Sequence, residues 1–149
     1  MDKTPIAKLA LAALLFCTVA FPLQARECAP VMKDGWIRLP PVAMPMMAGF
    51  GRIANPCAMP VVIVSASSPA FGEVSIHETR NVDGVNRMRE VEHLRLAPDD
   101  VATLKPGGLH LMLMQPRAPL KEGSKVLVEF KLQDGRTILS ELIVRKPVP

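Results

Sequence analysis

Residues 109–114 read Leu-His-Leu-Met-Leu-Met, a strict alternation of leucine with histidine or methionine. Successive side chains of a β-strand point to opposite faces, so the alternation predicts a strand with one aliphatic face and one face of nitrogen and sulfur donors. We expect the leucines to face the core. His110, Met112 and Met114 should then lie on the face turned away from it.

Strand-like patterns recur along the chain from residue 31 to residue 144. Turn-forming pairs such as Asn55-Pro56 and Asp83-Gly84 separate them. Fifteen prolines argue further against long helices. The sequence therefore predicts an all-β sandwich or barrel, folded as a single domain. The eight predicted strands are Val31–Arg38, Gly49–Ala54, Val61–Ala66, Val74–Arg80, Val85–Val91, Leu109–Met114, Lys125–Leu132 and Thr137–Val144.

The hairpin around Asp83-Gly84 decides whether two further donors meet. His77 lies on the face of its strand opposite the aliphatic side chains, and Met88 lies on the next strand. A two-residue loop pairs Met88 with Thr79, diagonal to His77, whereas a four-residue loop places Met88 directly opposite His77. A three-residue loop would put the two on opposite faces. Two of the three common loop lengths therefore bring His77 and Met88 together.

Four side chains form the candidate metal site: His77, Met88, His110 and Met112. Thioether sulfur favours Cu(I), and imidazole suits copper as well as zinc. Four neutral ligands leave the charge of the ion uncompensated, which favours Cu(I) over a divalent ion. Since each strand should bury its aliphatic face, we expect this site to be exposed.

The spacing His-x10-Met-x21-His-x-Met resembles that of the periplasmic copper chaperones of the PCuAC family. The likeness extends from about residue 34 to residue 144. It includes DGWIRLPP, AGFGRIANP, SSPAFGEVSIHETRNVDGVNRMREV, LKPGGLHLMLM and PLKEGSKV. The resemblance implies a cupredoxin-like Greek-key β-sandwich. It also implies delivery of copper to the copper centre of cytochrome c oxidase or to an assembly factor for that enzyme.

Residues 1–25 have the pattern of a secretory signal peptide. Two lysines precede an apolar stretch over residues 9–21, and Ala25 offers a cleavage site. Phe16 is too bulky before Cys17 for the usual lipidation motif. We therefore expect a periplasmic domain of residues 26–149, with no other segment apolar enough to cross a membrane.

Loss of this peptide lowers the formal charge from +4 to +3, because it carries two lysines and one aspartate. The remaining basic residues are scattered, and aromatic residues make up only 4% of the chain. Nucleic-acid binding is not expected, since it needs a basic groove with aromatic stacking platforms. An enzyme is not expected either, because no Ser-His-Asp or paired-carboxylate arrangement is visible.

Cys28 and Cys57 remain after cleavage. In an oxidising compartment such a pair favours a disulfide, which would close a loop of about 30 residues. A free thiol pair that binds or reduces a partner stays open as the alternative, although the pair lacks the Cys-x-x-Cys spacing.

The best interpretation of the sequence is an extracytoplasmic Cu(I) chaperone. A blue-copper electron carrier is one alternative, but it needs a Cys thiolate beside two histidines, and neither cysteine lies near His110 in the chain. A metal-free β-sandwich interaction module is the other. The sequence leaves open whether Met44, Met46 and Met47, in a proline-rich loop, supply extra thioethers, form a soft docking surface or simply cover one end of the sandwich.

Overall fold

Ten β-strands account for the regular structure of residues 28–147, which are the residues that this computed structural model describes. The predicted signal peptide lies outside the described residues. None of the described residues forms a helix with the length and apolarity that a bilayer span needs. The strands are β1 (Val31–Arg38), β2 (Met46–Ala54), β3 (Val61–Ser67), β4 (Phe71–Val82), β5 (Val85–Glu90), β6 (Leu94–Leu96), β7 (Val101–Leu104), β8 (Leu109–Pro116), β9 (Lys125–Leu132) and β10 (Thr137–Arg145).

The strands hydrogen-bond in the order β5-β4-β8-β2-β1-β10-β9-β3-β6, and β7 pairs with β2. One further pairing, Ala66 with Val74, joins β3 to β4 and closes the seven strands from β4 to β3 into a barrel. The β1–β10 pair is parallel, while every other pair among the described strands is antiparallel. The prediction of an all-β sandwich or barrel is therefore confirmed.

The predicted strands β1 and β9 have the observed bounds, and β4 extends beyond its predicted ends at both sides. Two strands, β6 and β7, were not predicted. They have only three and four residues, too few for an alternating pattern to stand out from the neighbouring loop.

The core is built from the aliphatic faces of the strands. Leu111 and Leu113 are completely buried, as the alternation in β8 predicts. Along β9, four buried residues alternate with four exposed ones, so this strand also turns one face to the core and the other to water. The core cluster includes Ile37, Ile53, Ile63, Phe71, Ile76, Val128, Phe130 and Leu142.

A disulfide joins Cys28 to Cys57, with the two Cα atoms 5.6 Å apart. The predicted bridge is therefore confirmed, and the alternative of a free thiol pair is wrong. Beside it, the buried amide of Asn55 donates to the carbonyl oxygens of Met59 and Ala97, at 2.9 Å each, and accepts a hydrogen bond from the Cys57 amide. The bridge and this amide together anchor the start of the described chain and the loop after β2.

Removing the disulfide should lower the free energy of unfolding by about 3.6 kcal/mol, the loop-closure contribution for about 30 residues. Urea unfolding of the Cys28→Ala/Cys57→Ala variant beside the oxidised native protein measures this difference. Reduced native protein should match the variant. Equal unfolding free energies for the oxidised protein and the variant would contradict the expected contribution.

Candidate metal centre

The ladder between β4 and β8 brings the two candidate histidines together. His77 lies directly opposite His110, and their ring centroids are 6.1 Å apart. Two residues further along β8, and therefore on the same face, Met112 lies opposite Ser75. Directly opposed residues of an antiparallel pair share a face, so three of the four candidate ligands are neighbours on one patch of the barrel.

The β4–β5 hairpin supplies the fourth candidate. Val82 pairs with Val85, so the loop has two residues, Asp83 and Gly84. Both have positive φ, 53° and 80°, as the type I′ turns of tight hairpins require. The structure therefore has the two-residue loop, one of the loop lengths that the sequence left open. It pairs Met88 with Thr79 and places the Met88 side chain diagonal to His77 on the same face.

A backbone carbonyl fixes the orientation of His110. Its Nδ1–H donates to the Gly108 oxygen at 2.9 Å, because a carbonyl can only accept. In the neutral ring this leaves the Nε2 lone pair free. Gly108 is itself held by a turn in which its amide donates to the Lys105 oxygen at 3.1 Å. A ring nitrogen engaged with backbone while the other stays free is the usual arrangement of a metal-binding histidine.

His77 has a hydrogen bond to a neighbouring side chain. Its Nε2 lies 3.0 Å from the Ser75 hydroxyl oxygen, on the same strand and the same face. Its Nδ1 is buried and has no hydrogen-bond partner among the described residues. An unsatisfied buried nitrogen is costly. A metal ion bound at Nδ1 would remove that cost, with Nε2–H donating to Ser75.

The four side chains differ in their access to solvent. Met88 is 52% exposed, whereas His77 and Met112 are only partly exposed and His110 is 8% exposed. The prediction of an exposed site is therefore wrong for His110. The physical reason is the position of His110 on β8, which lies between β4 and β2. Residues of the segment 38–48 line a recess of about 200 Å³ together with His110 and Met112.

A permanent positive charge lies in the wall of this recess. The Arg38 guanidinium stacks on the Phe50 ring, 5.0 Å from its centroid, and its Nε is buried without a hydrogen-bond partner in the described part of the chain. On the other side of the site, the exposed Glu90 lies directly opposite His77. The candidate site therefore lies between a partly buried cation and an exposed carboxylate.

The opposite face of the hairpin carries its own ion pairs. Arg80 and Arg89 both contact the Glu78 carboxylate, and their hydrogen bonds hold the pKa of Glu78 below its usual value. Arg89 is therefore a structural partner of β4 on the face away from Met88.

Sequence reasoning missed Ser75, Gly108 and Arg38 as parts of this site. A signal for Ser75 was available, since it lies two residues before His77 and so shares its face. The other two had no such signal. Gly108 contributes its backbone carbonyl oxygen, which a side-chain pattern does not report. Arg38 belongs to β1, and only the folded structure brings β1 next to the site.

The donor set is unusual for a hard or borderline ion. Residues 28–147 contain no group of three or more His, Cys, Asp or Glu side chains placed to hold a metal. The candidate site instead combines two imidazoles with two thioethers. This donor chemistry fits Cu(I) better than zinc, calcium or magnesium.

A family model for LpqE-like proteins matches residues 31–144, which is most of the chain. The chain belongs to the LpqE-like family. Its relatives include "Putative lipoprotein Lxx21020" of Leifsonia xyli subsp. xyli, 36% identical over 93 residues, which are 62% of this chain and 56% of that protein. A second, RP573 of Rickettsia prowazekii, is 34% identical over 74 residues, which are 49% of this chain and 41% of that protein. The matches thus span about half the length of these curated relatives.

Solved structures show the same fold. The solution structure of CuI-DR1885 from Deinococcus radiodurans has a TM-score of 0.65 and 27% identity, over 85% of this chain and 83% of that one. The apo PCuAC domain from PmoF1 has a TM-score of 0.65 and 19% identity, over 79% of this chain and 94% of that domain. The predicted cupredoxin-like fold and the resemblance to the PCuAC family are therefore confirmed.

We predict that His110 of the metal-free protein is the Nδ1–H tautomer when its ring is neutral, because Gly108 holds that proton. Two-dimensional long-range ¹H–¹⁵N correlation spectra of the imidazole nitrogens measure this directly. The exposed His93 is the internal control and should show the tautomer mixture of a free imidazole. A protonated Nε2 on neutral His110 would contradict the prediction.

Proposed function

We propose that this protein binds one Cu(I) ion outside the cytoplasm and hands it to another protein, with His77, Met88, His110 and Met112 as ligands. The observation that carries the proposal is the pair of imidazole rings on adjacent strands, 6.1 Å apart between centroids. Imidazole–metal bonds are about 2 Å long, so small side-chain rotations let both rings reach one ion. In each ring, one nitrogen takes part in a hydrogen bond. The other nitrogen has no hydrogen bond that would block a metal.

The charges around the site support a monovalent ion. All four proposed ligands are neutral. Of the two charged groups beside the site, Arg38 is partly buried in the recess wall, whereas the Glu90 carboxylate is exposed and screened by water. The repulsion between Arg38 and the ion would be twice as large for Cu(II) as for Cu(I) at the same position. The name of one solved relative, CuI-DR1885, also specifies this oxidation state for that protein.

The compartment is proposed from three observations. The disulfide Cys28–Cys57 is typical of an oxidising environment. Residues 1–25 have the composition of a signal peptide. The Leifsonia relative carries the name "Putative lipoprotein Lxx21020", and lipoproteins are a class of exported protein. We therefore propose that the protein is periplasmic.

The gradient of exposure suggests how copper leaves. Met88 lies on β5, the edge strand next to β4, and is the most exposed of the four proposed ligands. A ligand from the accepting protein can replace Met88 first, while His110 holds the ion from its buried position. The acceptor that the PCuAC resemblance implies is the copper centre of cytochrome c oxidase or an assembly factor for it. Nothing in this transfer requires the protein to be an enzyme.

The alternatives have less support. A blue-copper centre needs a cysteine thiolate, whereas both cysteines of the described residues are in the disulfide. A metal-free interaction module would not need two histidines that face each other with a buried, unpartnered nitrogen.

We expect Met88→Leu to weaken Cu(I) binding by about tenfold or more, because the change deletes the sulfur and keeps a similar volume. The stability of the metal-free protein should change by less than about 0.5 kcal/mol, since the side chain is largely exposed. Competition titration with a Cu(I) chelator measures the affinity. Met59→Leu, another exposed methionine, is the control and should bind as the native protein does. An unchanged affinity in Met88→Leu would remove Met88 from the site.

His110→Asn tests the buried ligand without disturbing its backbone contact. The Asn side-chain NH₂ can still donate to the Gly108 oxygen, whereas the lone pair corresponding to Nε2 is lost. We expect Cu(I) affinity to fall by about 100-fold or more, with the fold retained. Far-UV circular dichroism checks the fold. Native affinity in a folded His110→Asn protein would defeat the proposed ligand set.

The bound ion should have both nitrogen and sulfur neighbours. X-ray absorption at the copper edge, on protein loaded with one equivalent of Cu(I), measures this. We expect two imidazole nitrogens and two thioether sulfurs, and loss of one sulfur in Met88→Leu. A shell of nitrogen and oxygen alone would be incompatible with the proposed ligands.

A further inference from the structure

Two methionines next to the proposed copper site have no role in the core. Met44 and Met46 are 45% and 44% exposed, although their neighbour Met47 is buried in the core cluster. Burial of an apolar side chain is the usual reason for a methionine at a given position. That reason applies to Met47 but not to Met44 and Met46.

The strand register places Met46 beside the proposed ligands. In the β2–β8 ladder, Met46 lies directly opposite Met114, and Ala48 lies directly opposite Met112. Both β2 residues therefore lie on the face that carries His110 and Met112, and Met46 is the diagonal neighbour of Met112. Ala48 is small, so it leaves open space in front of the Met112 side chain.

This open space is the recess of about 200 Å³ in the wall of which His110 lies. Met44 and Met46 contribute to its wall from the exposed segment before Ala48, and His110 and Met112 contribute from β8. These four side chains differ in burial. Met44 and Met46 are exposed, Met112 is partly buried and His110 is buried. The lining therefore runs from solvent-exposed thioethers to a buried imidazole, with Met112 between them in accessibility.

We propose that Met44 and Met46 form, together with Met112, a thioether-only exchange site for Cu(I) that overlaps the four-ligand site through Met112. This inference rests on the proposed function and adds a route for the ion. Cu(I) binds first to the exposed sulfurs. It then passes inward when His110 and His77 replace Met44 and Met46. A small chelator withdraws it by the reverse substitutions, whereas a protein acceptor takes it at the Met88 edge. Only ligands exchange, and the ion stays Cu(I) throughout.

The chemistry of the three sulfurs fits a transient site. Thioethers select Cu(I) over divalent ions, and neutral sulfur ligands without imidazole hold it less tightly than the mixed set. The positive charge of Arg38 in the same wall lowers the affinity further. A weak site next to a stronger one speeds exchange without competing for the ion at equilibrium.

The first experiment measures exchange in the otherwise native protein. Cu(I) is loaded at one equivalent, and its transfer to a chromogenic Cu(I) chelator is followed by stopped flow. The Met44→Leu/Met46→Leu variant should release copper more slowly by about tenfold, with its equilibrium affinity close to native. Met59→Leu should behave as the native protein does. Native release kinetics in the double variant would overturn the inference. That result is expected if the two methionines only form an apolar docking surface.

The second experiment detects the thioether site by itself. In a His77→Asn/His110→Asn variant labelled with ¹³C at the methionine methyl groups, added Cu(I) should shift the resonances of Met44, Met46 and Met112. The Met59 resonance should not move. Absence of shifts at Met44 and Met46 in the folded variant would overturn the inference while leaving the four-ligand site standing. Failure of the native protein to bind Cu(I) at all would instead overturn the proposed function, and the exchange site with it.

Discussion

The alternation of side chains along β4, β5 and β8, combined with the register between these strands, is the constraint on which the candidate site depends. A shift of one residue in either ladder would move one strand's donors to the opposite face. The two-residue turn at Asp83-Gly84 sets the register of β5, and the His77–His110 pair marks the register of β8. Positive φ at both turn positions suits Asp and Gly far better than β-branched residues, so local turn chemistry controls the distance between two candidate ligands.

The same strands carry the core on their other face. Leu111 and Leu113 are fully buried on either side of Met112, so the backbone that presents the donors is anchored by the packing of the barrel. This anchoring keeps the two imidazoles near each other in the metal-free protein. Binding then requires side-chain rotation with little ordering of backbone, which lowers the entropic cost of assembling the site.

The sequence predicted the strands wherever alternation extends over six or more residues, and it predicted which face of β4 and β8 would carry the donors. It left three loop lengths open for the hairpin, two of which bring His77 and Met88 together, because loop length cannot be read from Asp83-Gly84 alone. It missed β6 and β7 because these strands are too short to show alternation. It also missed the burial of His110, because residues 39–45 are irregular and proline-rich and carry no periodic signal of where they lie. The position of such a segment depends on its packing against β8. The side-chain pattern along a single strand carries no information about that packing.

The buried position of His110 changes the expected behaviour of the proposed copper site. An ion held by four exposed ligands could be lost in any order, including to water. Here the structure gives the four proposed ligands different access, from Met88 on an edge strand to His110 in the wall of the recess. An incoming protein ligand would therefore meet thioether sulfur before it meets the buried imidazole. Because sulfur is the more exposed donor and the imidazole is fixed by Gly108, substitution can proceed one ligand at a time while the ion stays bound.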